Sequence, residues 1–502
     1  MSYGDFLQNP WKETHKAYSS AFFQHSPSPE NATGEVVISS LYRVVGYDGQ
    51  KESEVTSTGR EFVKRTQMPR VHQSFQSELT IPEWQSILHG VLESPKQASQ
   101  PSRRFLQMTP VIPDIALYSG SARLAGNPWR PGMLVQRVIL MGSKDEDEAK
   151  ATWQSLGNAL SVDKNEDVWA RWLQHEFGLR REGRPLWTLA TLEAKRGILG
   201  EGQRQIPAVQ FCRDLRAILD AKGAMTRHQW ISLLESLLRV GTVMHSLWLC
   251  DLNHRIWMLV RGVIKDAQRP PGAPEIASSL LPCSTNLLSY GDPAVQSIRD
   301  YSSRYLVARL GLNAVLWSLN DRPKFSADLS SCDGIAKFVA DVSTAREDLL
   351  KKDILGDVEK KKDEHTRIIA CKKGIGSNLT EYCRYALGQR QTADEALRGY
   401  DQGYFLRKRA EYASAPYVVS MGPVAILAMV HCSLVEGAGS RSIQSLVRHL
   451  GSYGIELNRD DIASGELGRK LRTLGLVLDS PDAESGMLLV EPFPKGRRAD
   501  AQ

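Results

Sequence analysis

Thr226-Arg-His-Gln-Trp-Ile-Ser-Leu-Leu-Glu-Ser-Leu-Leu-Arg-Val-Gly-Thr-Val-Met-His-Ser-Leu-Trp-Leu-Cys-Asp-Leu-Asn-His-Arg-Ile-Trp-Met-Leu-Val260 is the stretch on which the fold turns. It opens with Thr226-Arg-His-Gln229, a capping box in which the Thr hydroxyl and the Gln amide satisfy amides of a first helical turn. Trp230, Leu233, Leu234, Leu237 and Leu238 then share one apolar face at helical spacing. Gly241 is expected to interrupt the helix, with Val243 to Val260 returning as an antiparallel partner. The same spacing holds upstream, at Trp153, Leu156, Leu160, Val168, Trp169, Trp172, Leu173 and Phe177. A helical domain over 149–345 follows, with Arg269-Pro-Pro-Gly-Ala-Pro274 as a loop inside it.

Composition agrees with a globular chain. Of 502 residues, 42% are hydrophobic and 24% charged, which excludes wholesale disorder and a collagen-like fibre. The length predicts several domains rather than one core. Lys and Arg number 63 against 57 Asp and Glu, and an excess of six is too small for a nucleic-acid coat. Any contact with nucleic acid must come from a local patch. The start, Met1-Ser-Tyr-Gly-Asp-Phe-Leu-Gln-Asn-Pro10, has no signal-peptide pattern. No apolar run reaches the roughly 18 residues of a spanning helix. The best, Val424 to Val430, closes on His431, Cys432 and Ser433. Seven scattered cysteines without a C-x-x-C pair predict reduced thiols, no disulfides and a cytoplasmic protein without membrane attachment.

Residues 1–148 read as a mixed α/β region. Glu35 to Val45 and Met133 to Met141 are strand-like by their β-branched content. Between them, Leu79 to His89 predicts a helix capped by Thr80, with Pro82 and Glu83 in its first turn. Ser94 to Arg104 reads as a polar loop. Residues 346–415 are strongly charged, as in Glu359-Lys-Lys-Lys-Asp-Glu364, and predict a solvated helical linker. Residues 494–502 are expected to be a disordered tail.

The segment 416–493 carries the most informative order of elements. Tyr417 to Met421 is strand-like between Pro416 and Pro423, and Val424 to Val435 predicts a helix stopped by Glu436-Gly-Ala-Gly439. A second helix starts at Ser442, with Ile443, Leu446, Val447 and Leu450 on one face. A third runs from about Ser464 through Glu466-Leu-Gly-Arg-Lys-Leu-Arg-Thr-Leu474, burying Leu467, Leu471 and Leu474. Gly475-Leu-Val-Leu-Asp479, the turn Ser480 to Gly486 and Met487 to Glu491 complete a hairpin. Three short helices followed by a β-hairpin resemble the winged-helix family over about 75 residues. The resemblance implies binding, usually of duplex DNA, through the third helix in the major groove. On the matching helix it implies Arg469, Lys470 and Arg472 as groove or phosphate contacts, with Ser464 as a cap leaving amides for a phosphate.

Charge qualifies that implication. From 420 to 502 there are nine basic and ten acidic residues, a balance of −1, and the hairpin carries Asp479, Asp482 and Glu484. A DNA-contacting face gains from counterion release only where it is locally positive. The alternative is a winged helix that docks protein. The nearest positive reserve is upstream, where Arg407, Lys408 and Arg409 lie among aromatics in Tyr404-Phe-Leu-Arg-Lys-Arg-Ala-Glu-Tyr412 and suit a backbone contact. Residues 345–415 carry fifteen basic and twelve acidic groups. The other reading of 404–412 is an exposed helix face with Tyr404 and Phe405 packed inward.

Two patterns bear on catalysis. Glu193-Ala-Lys195 after the apolar Leu186 to Leu192 resembles metal-dependent nucleases of the restriction-endonuclease type, in which a further acid holds Mg²⁺ and the Lys polarises water. The nearest upstream acids, Glu176 and Glu182, do not end a strand. Arg239 and His245 have the spacing that resembles helical ribonucleases of the HEPN family, where the His moves a proton and the Arg steadies the phosphorane. Arg65 to His72 fits nearly the same pattern, which marks it as weakly selective. His245, Cys250, Asp251 and His254 point in different directions on a helix and predict no metal site. Gly374-Ile-Gly376 lacks the rest of a P-loop, and Gly-x-Ser-x-Gly is absent.

The expectation is a mainly α, multi-domain protein with a central bundle and a C-terminal winged helix, needing no cofactor. Its function would be binding or scaffolding of duplex DNA as one subunit of a larger protein assembly. Such a subunit fits a bacterial defence or mobile-element system, though no motif carries that context. A nuclease and a protein-binding adaptor are the alternatives.

Overall fold

The stretch that reads as two helices is one. In a computed structural model, the structure describes residues 2–25, 34–47, 80–87, 92, 94, 109–118, 131–179, 186–192, 206–281, 286–320, 322, 325–389, 400–410, 412, 414–436, 441–463, 465–479 and 487–493. The principal helices are α1 (Gly34–Gly46), α2 (Pro131–Gly142), α3 (Pro207–Asp220), α4 (Arg227–Asp266), α5 (Ala294–Leu319), α6 (Ile375–Leu387), α7 (Pro423–Glu436), α8 (Ile443–Ser452), α9 (Arg459–Ala463) and α10 (Glu466–Thr473). The protein is mainly α, and its described strands pair only two by two.

Helix α4 has 40 residues and spans about 60 Å. The capping box forms as expected: Gln229 N donates to Thr226 Oγ1, and Thr226 N donates back to Gln229 Oε1 at 3.0 Å. Gly241 does not break it. A Cβ built there would lie 2.1 Å from Phe211 Cδ2 of α3, so the residue is small because a neighbouring helix crosses at that point. Val243 to Val260 therefore continues the same helix, and its most extensive partner is α5. Trp257 of α4 lies against Gly311 of α5.

The two segments expected as strands near the N-terminus are α1 and α2. Every residue of α1 is buried, including Glu35 and Arg43. Glu35, Ser39 and Arg43 recur at a spacing of four on one side of α1, but that side is buried as well, and the run of β-branched residues around it misleads here. Gly132 of α2 donates its N–H to Ser40 Oγ of α1 at 2.9 Å. Among the described residues of 1–148 there is no strand. The helix over Ile81–Ile87 forms as expected, with Thr80 N donating to Glu83 Oε2 at 2.7 Å. Ser94 is described and buried, while 95–104 lie outside the described residues.

The described helices of 346–415 pack into the core rather than standing in solvent. They bury Leu349, Ile354, Val358, Leu379 and Tyr382, and Tyr382 Oη donates to Thr242 Oγ1 of α4 at 2.7 Å. One contiguous apolar core runs from Phe6 to Leu489 and includes α4, α5 and the helices of 423–473. The expected boundaries near 149, 346 and 416 therefore do not divide the core. The tail 494–502 lies outside the described residues.

Strands tie the chain's end to its middle. β1 (Leu288–Ser289) pairs in parallel with β4 (Ile455–Glu456), and β2 (Leu406–Lys408) pairs antiparallel with β3 (Tyr417–Val419). β5 (Val477–Asp479) and β6 (Met487–Leu489) form the C-terminal hairpin, which Ser442 joins through a bridge to Leu488. Helix α9 lies between β4 and α10 and has no counterpart in the sequence expectation.

Candidate nucleic-acid interface

Helix α10 sits with Leu467 and Leu471 buried and Leu474 half-buried, as its spacing predicts. Gly475, at φ +67°, ends it and turns the chain into β5. Its N-cap position is Gly465, without a side-chain cap; Ser464, expected there, lies outside the described residues. The opposite face carries Arg469, Arg472 and Thr473, all exposed.

Lys470 points elsewhere. Its Nζ donates to Met421 O at 2.7 Å, to Ser420 Oγ at 3.1 Å and to Tyr404 Oη at 3.3 Å, and lies 2.8 Å from Glu466 Oε1. It also sits 5.3 Å over the Tyr404 ring. An ammonium has three donors, and these partners occupy them. The geometry thus withdraws Lys470 from the set of groove contacts and makes it the pin between α10 and the segment 404–421.

The basic segment upstream is a strand rather than a helix face. Phe405 is buried, while Arg407 and Arg409 are exposed and Lys408 donates to Tyr412 O at 3.2 Å. Arg409 N donates to Pro416 O at 2.9 Å, extending the β2–β3 pairing. Arg407 Nη1 donates to Glu466 Oε1 of α10 at 2.9 Å. That contact sets the segment 407–409 alongside the exposed face of α10. Burial raises the Glu466 carboxyl, but Lys470 and Arg407 outweigh it and hold it below the usual carboxylate range.

The hairpin face differs in character. Leu478 and Leu488 stand directly opposite each other on β5 and β6, 62% and 40% exposed. Asp482 and Glu484 lie outside the described residues.

Of the catalytic candidates, Arg239 and His245 lie among the described residues. Arg239 is fully buried: Nη1 and Nη2 donate to the two carboxylate oxygens of Asp401 at 2.8 Å each, and Nε donates to Ala386 O at 2.6 Å. This is a structural fork, with the guanidinium's donors spent inside the protein. His245 is fully buried and stacked on Trp248, and burial first, then Arg137 and His25, push its imidazole well below the ordinary value. Neither group reaches solvent. Glu193, Lys195 and Glu182 lie outside the described residues, as do Arg65 and His72. The run 186–192 before Glu193 has no strand; Thr188 N and Ala190 N instead donate to Gly46 O and Val45 O at the end of α1. Asp251 pairs with Arg255 at 2.9 Å. Among the described residues no group of three or more His, Cys, Asp or Glu is arranged to hold a metal, the six described cysteines are free thiols, and no helix is long and apolar enough to cross a membrane.

No family model and no curated protein matches the chain.

Glu466 and Ser420 belong to this face without having been expected there, and Tyr404, expected among the aromatics of 404–412, meets Lys470. The Glu466–Lys470 spacing of four is a visible helix-pair signal. Tyr404 and Ser420 carry none, because strand pairing brings them there.

Proposed function

We propose that the chain is a DNA-binding or DNA-scaffolding subunit of a multi-protein assembly. It holds duplex DNA on a C-terminal winged helix whose third helix is α10. The observation that carries this reading is the Arg407–Glu466 contact, which sets the segment 407–409, with Arg407 and Arg409 exposed, against α10, with Arg469 and Arg472 exposed. The near-neutral charge of the last 80 residues argues against DNA binding by α10 alone, and Arg409 at the end of β2 adds exposed positive charge next to it. Phosphate contacts of this type add affinity by releasing counterions, independent of base sequence.

The test is anisotropy of a labelled duplex against full-length protein over a salt series. Arg469→Glu/Arg472→Glu should weaken binding about sixtyfold or more at 0.1 M salt, two phosphate contacts being lost. Binding unchanged in that double variant removes α10 from the interface.

A second reading, protein docking, draws on Leu478 and Leu488, whose paired exposure on the hairpin suits an apolar partner surface rather than a phosphate backbone. The two readings assign different faces of the same segment and are compatible. A nuclease reading draws no support from Arg239 or His245, both enclosed in the core.

A further inference from the structure

We propose that Glu466 is a built-in competitor for phosphate at Arg407, so that the DNA-binding face is held in a partly masked state. The inference rests on the DNA-binding reading above and names a device that sets its affinity.

Three features of the contact lead there. Arg407 is 57% exposed at its side chain and its guanidinium meets Glu466 from the solvent side, whereas Lys470, 19% exposed, meets the same carboxylate oxygen from within. Lys470 donates to Met421 O, Ser420 Oγ and Tyr404 Oη as well, so three acceptors other than the carboxylate hold the lysine in place. Glu466 also sits on the same helix as Arg469 and Arg472, one turn before the first of them, so the carboxylate that holds Arg407 belongs to the helix assigned to the DNA.

The competition is simple. A guanidinium recognises a carboxylate and a phosphate through the same planar fork, so one displaces the other at Arg407. An exposed pair of this kind is weak and screened by salt, which leaves it open to displacement. While Glu466 is charged and in place, Arg407 adds little to DNA binding. Removing the charge frees one phosphate contact without adding any group.

The experiment uses full-length protein and a labelled duplex of mixed sequence. Glu466→Gln should bind about eightfold more tightly at 0.1 M salt, and the plot of log K against log salt should steepen by about 0.9, the signature of one added phosphate contact. Arg407→Ala alone should change affinity little, and Arg407→Ala combined with Glu466→Gln should return to the wild-type value. A gain that survives in the combined variant, or no gain at all while Arg469→Glu/Arg472→Glu abolishes binding, overturns the proposal and leaves the DNA-binding reading intact. No duplex binding by the wild-type chain at low salt overturns both. Glu466→Ala is the second variant and should reproduce the gain. If neither Glu466 variant folds, the carboxylate is a structural anchor and the proposal falls.

Discussion

The phenol of Tyr453 donates to Asp214 Oδ2 at 2.7 Å, joining the turn after α8 to the middle of α3 across 239 residues of sequence. Both side chains are fully buried. His449 Nε2 lies 3.0 Å from the same oxygen, and Gln210 Nε2 donates to Asp214 Oδ1 at 2.9 Å. Burial first, then Asp214, push the Tyr453 phenol well above its ordinary value, so it stays a donor at any working pH. This polar knot fastens the C-terminal helices to α3 and so fixes where α10 faces.

Tyr453→Phe should therefore destabilise the whole chain, by about 1.5–3 kcal/mol, since it deprives a buried carboxyl of one hydrogen bond. Chemical denaturation followed by circular dichroism reads the change. A loss below about 0.5 kcal/mol, the range of ordinary surface changes, counts against the knot as a fastening.

Gly241→Ala should destabilise although alanine is the better helix former by about 1 kcal/mol. The added methyl enters the space of the Phe211 ring, and overpacking of that kind costs about 1–3 kcal/mol. Phe211→Leu in the same chain should restore part of the loss by clearing the ring edge. Thermal unfolding of the two single variants and the double gives the coupling; simple additivity means the two side chains do not compete.

Acid should weaken the protein through its buried histidines. Burial first, then Arg137 and Arg309, push His25 down to about 3, and His245 is held well below its ordinary value by burial, Arg137 and His25. A base whose folded pKa is depressed stays neutral in the fold and takes up a proton only on unfolding. For His25 the stabilising share is whole above about pH 6.5 and is lost as pH falls toward 3. At pH 5 that loss is about 2 kcal/mol, and His245 acts in the same direction. Urea midpoints at pH 7.5 and pH 5 measure it, and His25→Gln should flatten the dependence by one histidine's share. Equal midpoints at the two pH values refute the prediction.

The mainly α character was readable because amphipathic spacing and the Thr226-Gln229 box are local signals. Helix α1 was not, since its run of Val36, Val37, Ile38, Val44 and Val45 reads as a strand, and the polar stripe Glu35, Ser39 and Arg43 is buried rather than facing water. Gly241 misled for a different reason: a glycine in a helix reads as a breaker unless the crossing helix that demands it is known. In the interface, the exposure of Arg469 and Arg472 and the burial of Leu467 and Leu471 follow from spacing within α10. The inward turn of Lys470 does not, because its acceptors on Ser420 and Met421 lie about fifty residues away. Arg239 looked like a reactive group for the same cause; its partner Asp401 is 162 residues distant and nothing local announces it.

The shared core has a consequence for how the chain must be made. Helices α3 and α4 leave the ribosome long before α7 and α8, which cover them. At 5–20 residues per second, the wait between the end of α4 and the emergence of Tyr453 is roughly 10–40 s. Throughout that interval Asp214 has no phenol to meet and the apolar flank of α4 that receives α7 stands open to water. For that share of its synthesis the nascent protein carries an unfinished surface, and α7 and α8 are what close it.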